Sequence, residues 1–243
     1  MWAERARLAT RAVGEILITL GVTLFLFCAY QLFYTNVVAD NAMRSEVSDL
    51  RKQWAAQSPL PRTAAGTAPK TLGPFNSADS LGHPGAAFAI LHIPRLGNTP
   101  IPVVEGTNLD LLSRGVGHYK DSAMPGRVGN FAIAGHRKTH GEPFRYLDAM
   151  RAGDLIVVET ADTWYTYRAD RDPFIVDPTD LAVVAPVPDH PGRKPTRALI
   201  TLTTCNPWWA STERMIVTGT LLGQQPRAKG EPPALTVNAP KFQ

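Results

Sequence analysis

The feature that most constrains the fold is a series of short apolar runs, separated by turn residues, that begins at Ala87. Brief helical patterns interrupt the series at Asn108–Ser113, capped by Thr107 and ended near Gly115, and around Phe144–Met150. The runs are rich in β-branched and aromatic residues, which favour strands. They fall at 87–93, 100–104, 130–135, 154–160, 163–169, 173–177, 197–204 and 213–222. Eight short strands with few helices predict an all-β domain, either a small barrel or a sandwich.

The amino-terminal region has a different pattern, because Ile16–Tyr34 contains no charged residue. These nineteen residues would form a helix of about 30 Å, which is the thickness of the hydrocarbon core of a bilayer. Arg5, Arg7 and Arg11 precede the stretch, and positive charges stay on the cytoplasmic side. The sequence therefore predicts a transmembrane signal anchor at 16–36, with residues 1–15 in the cytoplasm and the rest of the chain outside the cell.

Two other kinds of export signal fit the sequence less well than an anchor. A cleaved signal peptide would find small residues at Val37-Val-Ala39, but the apolar run exceeds the usual signal core of about 7–15 residues. A lipoprotein signal does not fit, because the bulky Phe27 directly precedes Cys28. An uncleaved anchor is the favoured interpretation.

Composition divides the remaining chain into four parts. Residues 37–57 are polar with a helical pattern, which predicts a juxtamembrane stalk. Residues 58–86 are rich in Pro, Ala and Gly and predict a flexible linker. The β-rich segment 87–223 is the predicted catalytic domain, and 224–243 is a predicted disordered tail.

Charge and cysteine content restrict the class of function. The net charge of +4 is spread along the chain without a basic stripe, so nucleic-acid binding has little support. The two cysteines are Cys28, inside the apolar run, and Cys205, at the end of a predicted strand. If Cys28 lies in lipid the two cannot form a disulfide, and Cys205 is a free thiol in an exported domain.

Three functional groups follow predicted strands. The motif Thr201-Leu-Thr-Thr-Cys205 ends a strand just before Asn206-Pro207, and Arg214 follows nine residues later. His136 comes directly after the predicted strand at 130–135. A thiol, an imidazole and a guanidinium can supply a nucleophile, a general acid/base and an oxyanion ligand, which together suit cysteine acyl transfer.

Each group also has a purely structural interpretation. A cysteine at a strand end is most often a small buried residue, and a lone histidine can be a hydrogen-bonded structural imidazole. Arg214 could form a surface ion pair with Glu213, worth about 0–1 kcal/mol. His136 and His140 also resemble a metal pair, but no Cys-x-x-Cys or His-Glu-x-x-His motif accompanies them, so neither a metal site nor a cofactor is predicted.

The combination of Thr-Leu-x-Thr-Cys, an arginine nine residues on, and Ala-Gly-His after an apolar strand resembles the sortases, which are cysteine transpeptidases of Gram-positive cell surfaces. The resemblance runs from about Ala87 to Gly223 and includes Gly115-Val-Gly-His-Tyr119. It implies an eight-stranded β-barrel with short helices. It also implies roles for Cys205 as nucleophile, His136 as general acid/base and Arg214 as oxyanion ligand.

The tyrosine in this motif makes the chain look like a class E sortase, whose typical sorting signal is Leu-Ala-x-Thr-Gly rather than Leu-Pro-x-Thr-Gly. The resemblance places Tyr119 near the signal-binding groove, and His118 and Thr204 are further candidates for substrate binding. A phenol at position 119 could bind the backbone N–H that alanine has and proline lacks.

The implied activity is cleavage of the Thr–Gly bond of a carboxy-terminal sorting signal through a Cys205 thioacyl intermediate. The partners would be surface proteins carrying that signal and an amine of a peptidoglycan precursor. An exported cysteine hydrolase would use the same three residues, and a non-catalytic envelope-binding module would need none of them. With no third residue evident to polarise the pair, we expect the His136 imidazole to titrate near the ordinary pKa of about 6.5.

Overall fold

The computed structural model describes residues 2–30, 34–57 and 85–236. Its α-helices are α1 (Trp2–Ala29), α2 (Thr35–Gln57) and the short α3 (Leu109–Leu112). Its strands are β1 (Ala87–His92), β2 (Ile101–Glu105), β3 (Val116–His118), β4 (Gly129–Ala134), β5 (Leu155–Glu159), β6 (Thr163–Ala169), β7 (Phe174–Val176), β8 (Ala198–Asn206) and β9 (Glu213–Pro226). The linker predicted at 58–86 lies outside the described residues except for its last two positions.

Eight of the strands close into a barrel. Hydrogen-bonded neighbours follow the order β6-β5-β1-β2-β3-β4-β8-β9, and β9 pairs again with β6 to complete the ring. Strand β7 pairs with β9 outside this ring. The predicted eight-stranded barrel is therefore confirmed, although its members differ. The short β3, with glycine at its centre, has too few residues for the pattern to reveal it, and β7 is an addition beside the barrel.

The strands that carry the functional residues alternate between the barrel interior and an outer face. Phe131 and Ile133 of β4 are buried in the main core, together with Ile200 and Leu202 of β8. Asn130, directly before Phe131, lies on the outer face. Its side-chain amide donates hydrogen bonds to the backbone carbonyls of Val183 and Ala185, at 3.3 and 3.0 Å, and so holds the connection between β7 and β8 over this face.

The helix α2, which covers the juxtamembrane stalk predicted at residues 37–57, packs against the barrel. Val47, Leu50 and Trp54 bury their side chains against Ile90 of β1, and Met43 joins the main core. The positions 43, 47, 50 and 54 form one stripe of a helix, a signal present in the sequence. Ion pairs from Glu46 to Arg114 (2.7 Å) and from Arg51 to Glu159 (2.9 Å) add to the packing.

The carboxy-terminal segment is also ordered against the barrel as far as Thr236. Strand β9 continues to Pro226, and 3₁₀ turns follow at Arg227–Lys229 and Pro233–Leu235. Ala234 is buried beside Val157 and Trp164. The tail predicted to be disordered after Gly223 is therefore structured over residues 224–236, because it finds an apolar site on β5 and β6; residues 237–243 lie outside the described range.

A buried carboxylate joins these two terminal segments. Glu159 is 1% exposed and accepts hydrogen bonds from Arg51 of α2 and Arg227 of the tail, each at 2.9 Å, while His92 lies 3.2 Å away. Burial alone would raise the pKa of Glu159, but the bonds from His92 and the two arginines outweigh it, and the pKa lies below its ordinary value.

The short helix before β3 corrects one further detail. Asn108, rather than the predicted Thr107, caps α3, and its side-chain oxygen accepts a hydrogen bond of 3.0 Å from the backbone N–H of Leu111. Asparagine and threonine are both good capping residues, so the sequence could not decide between neighbours.

Candidate active site

Strand β8 carries Cys205 to the edge of the barrel. The side chain is half-buried on the outer face of β8, two positions beyond Thr203, and is not part of a disulfide. The strand ends one residue later at Asn206, where Pro207 begins the loop to β9. A thiol at this place has strand on one side and an open loop on the other, so a substrate can reach it.

The parallel pairing of β4 with β8 brings His136 level with Cys205. The ladder pairs Ala134 with Thr203, and the same offset continued by two residues pairs His136 with Cys205. Two hydrogen bonds extend the ladder beyond Ala134. The Gly135 N–H donates to the Thr203 carbonyl at 3.0 Å, and the Thr204 hydroxyl donates to the Gly135 carbonyl at 2.7 Å. The register therefore fixes both functional residues at one end of the same ladder.

Antiparallel pairing of β8 with β9 places Arg214 directly opposite Cys205. Directly opposed residues point to the same face with their Cβ atoms about 4.5–5.5 Å apart. The Arg214 guanidinium donates through Nη1 to the carbonyls of Ser211 (3.1 Å) and Glu213 (2.8 Å). The Glu213 carboxylate instead accepts a 2.7 Å hydrogen bond from Asn206. The three residues selected from the sequence thus share one strand edge of the barrel.

The His136 imidazole is partly desolvated. Its Nε2 atom is buried and has no hydrogen-bond partner among the described residues. The ring stacks on His140, with centroids 5.0 Å apart. Burial lowers the pKa of His136, and the neighbouring His140 lowers it further. The expectation of an ordinary pKa is therefore corrected, because the sequence could not reveal either the burial or the stacked neighbour.

Replacing His140 with asparagine should raise the pKa of His136 towards 6.5 without reaching it, because burial remains the larger cause. Asparagine suits position 140, whose φ of 56° lies in the left-handed region. Because the pKa of His136 is lower in the folded protein, the unfolded chain binds the proton more readily. The contribution of His136 should therefore lower the free energy of unfolding as the pH falls through the unfolded pKa of about 6.5. NMR titration of the ring measures the shift, with His190→Asn at an exposed histidine as the control. If the His136 titration midpoint is the same in His140→Asn as in the unmodified protein, His140 does not lower the pKa of His136.

Arg137 ties the histidine loop to the cysteine strand. This arginine is 7% exposed, and its Nη1 atom donates to the Asn206 side-chain oxygen. Its Nη2 atom lies 3.4 Å from the Asp148 carboxylate. Arg137 directly follows His136, and its bonding partner Asn206 directly follows Cys205. Sequence reasoning missed this pair: the available signal was an arginine directly after His136, and nothing in the sequence identifies Asn206 as its partner.

Helix α2 holds the other side of the same loop. The Asn36 side chain donates to the Glu142 carboxylate at 2.8 Å and accepts from the Gly141 N–H at 3.2 Å. Gly141 has a φ of +76°, a left-handed conformation that favours glycine, and a Cβ there would lie 2.0 Å from the terminal methyl of Met43, which would have to shift. The loop that begins at His136 is therefore clamped between β8 and the start of α2.

The three predicted substrate-binding residues have different environments. Tyr119 is half-buried, and its hydroxyl lies 3.1 Å from the Thr203 hydroxyl on the outer face of β8. His118 is 1% exposed, and its ring nitrogens lie 2.7 Å from Glu105 and 2.8 Å from Ser122.

His118 is therefore a buried, hydrogen-bonded residue. Thr204 points away from the Cys205 face, since successive residues of a strand alternate. Its role is the bond to Gly135 described above. Only Tyr119 of the three lies beside the outer face that carries Cys205.

A metal role for His136 and His140 gains no support from the geometry. Their rings stack face to face, and across residues 2–30, 34–57 and 85–236 no three His, Cys, Asp or Glu side chains are grouped so that they could hold an ion.

Comparison with known proteins gives a consistent result. Residues 91–222 match the family described as "Sortase domain". The chain is 42% identical over 237 residues to Sortase SrtE1 of Streptomyces coelicolor, a match that covers 95% of this chain and 62% of that relative. Sortase SrtE2 of the same organism is 35% identical over 225 residues, covering 89% of this chain and 84% of SrtE2. The chain thus spans less than two thirds of the length of SrtE1.

Solved structures agree. Sortase E from Streptomyces avermitilis has 44% identity and a TM-score of 0.57, covering 62% of this chain and 97% of that one. Sortase E1 from Streptomyces coelicolor, solved with a tripeptide in the active site, has 45% identity and a TM-score of 0.57, covering 63% of this chain and 98% of that one. Because the chain forms the barrel and matches the family over residues 91–222, it belongs to the sortase family, whose members are cysteine transpeptidases.

Proposed function

We propose that this protein is a membrane-anchored, class E-like sortase that joins surface proteins to an amine of the cell wall. The observation that carries the proposal is the placement of Cys205, His136 and Arg214 at one edge of a sortase barrel. The substrate would be a carboxy-terminal sorting signal of the Leu-Ala-x-Thr-Gly or Leu-Pro-x-Thr-Gly type.

In the first half-reaction the Cys205 thiolate attacks the carbonyl carbon of the signal's threonine. The carbonyl oxygen becomes an oxyanion, and Arg214 stabilises it because the guanidinium keeps its charge and offers several N–H donors. The Thr–Gly bond then breaks, and protonated His136 gives its proton to the departing glycine amine. The products are a thioester between threonine and Cys205, a released glycine peptide and a neutral His136.

In the second half-reaction an acceptor amine attacks the thioester. His136 takes a proton from the incoming amine, a new amide bond forms, and Cys205 leaves as the thiolate. The unpaired, buried Nε2 atom of His136 supports this role, since no described residue competes for the proton it must give and take.

The localisation forms part of the proposal. Helix α1 is long and apolar enough to cross a membrane, and none of its residues is buried against the barrel. We place residues 1–15 in the cytoplasm, the anchor at 16–36 and the catalytic domain outside the cell, because Arg5, Arg7 and Arg11 lie at the amino end.

A comparison of products tests the reaction class. The full chain is incubated with a Leu-Ala-x-Thr-Gly peptide, with and without an added glycine-type amine, and the products are identified by mass spectrometry. A transpeptidase should yield the amide in the presence of the amine and form little free acid. Free acid as the product under both conditions would favour the cysteine hydrolase, and uncleaved peptide would favour the binding module.

Tyr119→Phe should narrow the preference for Leu-Ala-x-Thr-Gly over Leu-Pro-x-Thr-Gly, chiefly by weakening the alanine substrate. The Tyr119 hydroxyl lies beside Thr203, two positions before Cys205, where it could bind the N–H that proline lacks. Losing that contact should cost the alanine peptide about 1–3 kcal/mol of transition-state binding, or roughly ten- to a hundred-fold in kcat/KM. The ratio of kcat/KM for the two peptides measures this change in preference, and Tyr165→Phe on β6 is the control. An unchanged ratio would remove Tyr119 from signal recognition.

A further inference from the structure

The boundary between α1 and α2 carries a pair of aromatic rings. Tyr30 and Tyr34 stack with centroids 4.9 Å apart, and both side chains are more than half exposed. The apolar stretch that begins at Ile16 ends at Tyr34, and the polar residues Thr35 and Asn36 follow it. Tyrosine is enriched where a membrane-spanning segment meets water. If α1 is the proposed anchor, these two tyrosines mark the outer surface of the bilayer.

The histidine loop lies directly beyond this boundary. Asn36, two residues after Tyr34, is hydrogen-bonded to Gly141 and Glu142. Two residues of chain span at most about 7 Å. The headgroup layer on each side of a bilayer is roughly 5–8 Å thick, so the loop that starts at His136 begins at headgroup height.

A second exposed aromatic pair lies on the same side of the barrel. Trp208 and Trp209, in the loop that follows Cys205, are 51% and 66% exposed. Trp208 lines a cavity of about 640 Å³ together with Asn36, Val37 and Lys138. The Lys138 ammonium lies 5.5 Å from the centre of the Trp208 ring, and Val37 is 58% exposed. We call Tyr34, Val37, Lys138, Trp208 and Trp209 the aromatic rim.

We propose that the aromatic rim docks the catalytic end of the barrel onto the lipid headgroups of the membrane in which α1 is anchored, a step that rests on the proposed function. Tryptophan is stable at headgroup height because its ring is apolar and its N–H is polar. Lys138 supplies a cation for the lipid phosphates. The short connection from α1 leaves this surface beside the bilayer, and Trp208 and Trp209 are the exposed Trp, Tyr or Phe residues of the described segment 85–236.

Docking would place Cys205 and His136 close to the bilayer. An amine carried by a membrane lipid could then reach the thioester while the lipid stays in the bilayer. An active site held away from the membrane on a stalk would be out of reach of such an amine.

Tryptophan fluorescence of the full chain in vesicles tests the docking. The vesicles contain phosphatidylcholine and phosphatidylglycerol, with part of the phosphatidylcholine brominated near the headgroup end of its chains. The protein has five tryptophans, and Trp2 is replaced by phenylalanine because it lies in α1. Of the remaining four tryptophans, Trp54 and Trp164 are buried. The bromine should therefore quench only the fluorescence that Trp208 and Trp209 contribute.

We expect brominated lipid to reduce the emission of Trp2→Phe and to leave the emission of the matched Trp2→Phe/Trp208→Phe/Trp209→Phe protein unchanged. Lys138→Glu should weaken the quenching in vesicles that contain phosphatidylglycerol. Quenching of Trp2→Phe by aqueous iodide but not by brominated lipid would place the pair in water and overturn the docking. Flotation of the same samples separates the two proposals, since a protein that does not float with the vesicles would instead overturn the anchor.

Discussion

Cys205→Ala should abolish turnover of the sorting-signal peptide and the covalent enzyme–peptide adduct. Among the described residues, Cys205 is the thiol that lies on β8 between the strands leading to His136 and Arg214. Alanine at this position cannot form the thioester. The measurement is intact-protein mass spectrometry of the full chain after incubation with peptide, together with release of the glycine fragment.

The chain supplies a matched control for this change. Cys28 is the only other cysteine, and it lies exposed on α1. Cys28→Ala should keep both the adduct and the turnover. Because the three residues act as one unit, adding His136→Ala to Cys205→Ala should cause almost no further loss. Near-normal cleavage by Cys205→Ala would refute the proposed nucleophile and the mechanism with it.

Arg214→Ala should lower kcat by about 10²–10³-fold, the usual cost of removing one oxyanion ligand. The reason is its place directly opposite Cys205, where the oxyanion forms. Arg214→Lys should recover only part of the rate, because lysine restores the charge but not the forked donors. Steady-state kinetics with a single peptide measure both changes.

Arg151 provides the control for Arg214. Its Nη1 atom also donates to nearby backbone carbonyls, those of Asp148 (2.8 Å) and Met150 (2.6 Å), so the two arginines make similar local bonds. Arg151→Ala should therefore reproduce any structural loss without the loss of rate. Equal rates for Arg214→Ala and Arg151→Ala would show that Arg214 is a surface residue.

The barrel was predictable because strand periodicity is local. Runs such as Asn130–Gly135 and Ala198–Thr204 have strand composition whatever their partners are. The candidate nucleophile and the candidate acid/base were identified for a related reason: Cys205 and His136 each directly follow such a run. Their meeting depends on the pairing of β4 with β8, which strand composition does not encode and which came from the family resemblance alone.

The errors concern contacts between segments distant in sequence. The polar composition of residues 37–57 suggested a juxtamembrane stalk, but the Met43–Trp54 stripe packs on the barrel. The tail after Gly223 has the composition of a disordered segment, yet Ala234 is buried beside Val157 and Trp164. His118 was a candidate for substrate binding, but it is buried and bonded to Glu105 on another strand. The lowered pKa of His136 likewise depends on the fold of its loop.

The docking of α2 changes where the working unit of this protein begins. A shortened form that started at Ala87 would expose Ile90, remove the Arg51 partner of buried Glu159 and release the histidine loop from Asn36. Leaving Glu159 with fewer cations would weaken the fold, since removing one partner of a buried charge is costly. A soluble form intended for crystallisation, kinetics or ligation chemistry should therefore start at Thr35 and extend to Thr236, so that His136 keeps both of its supports.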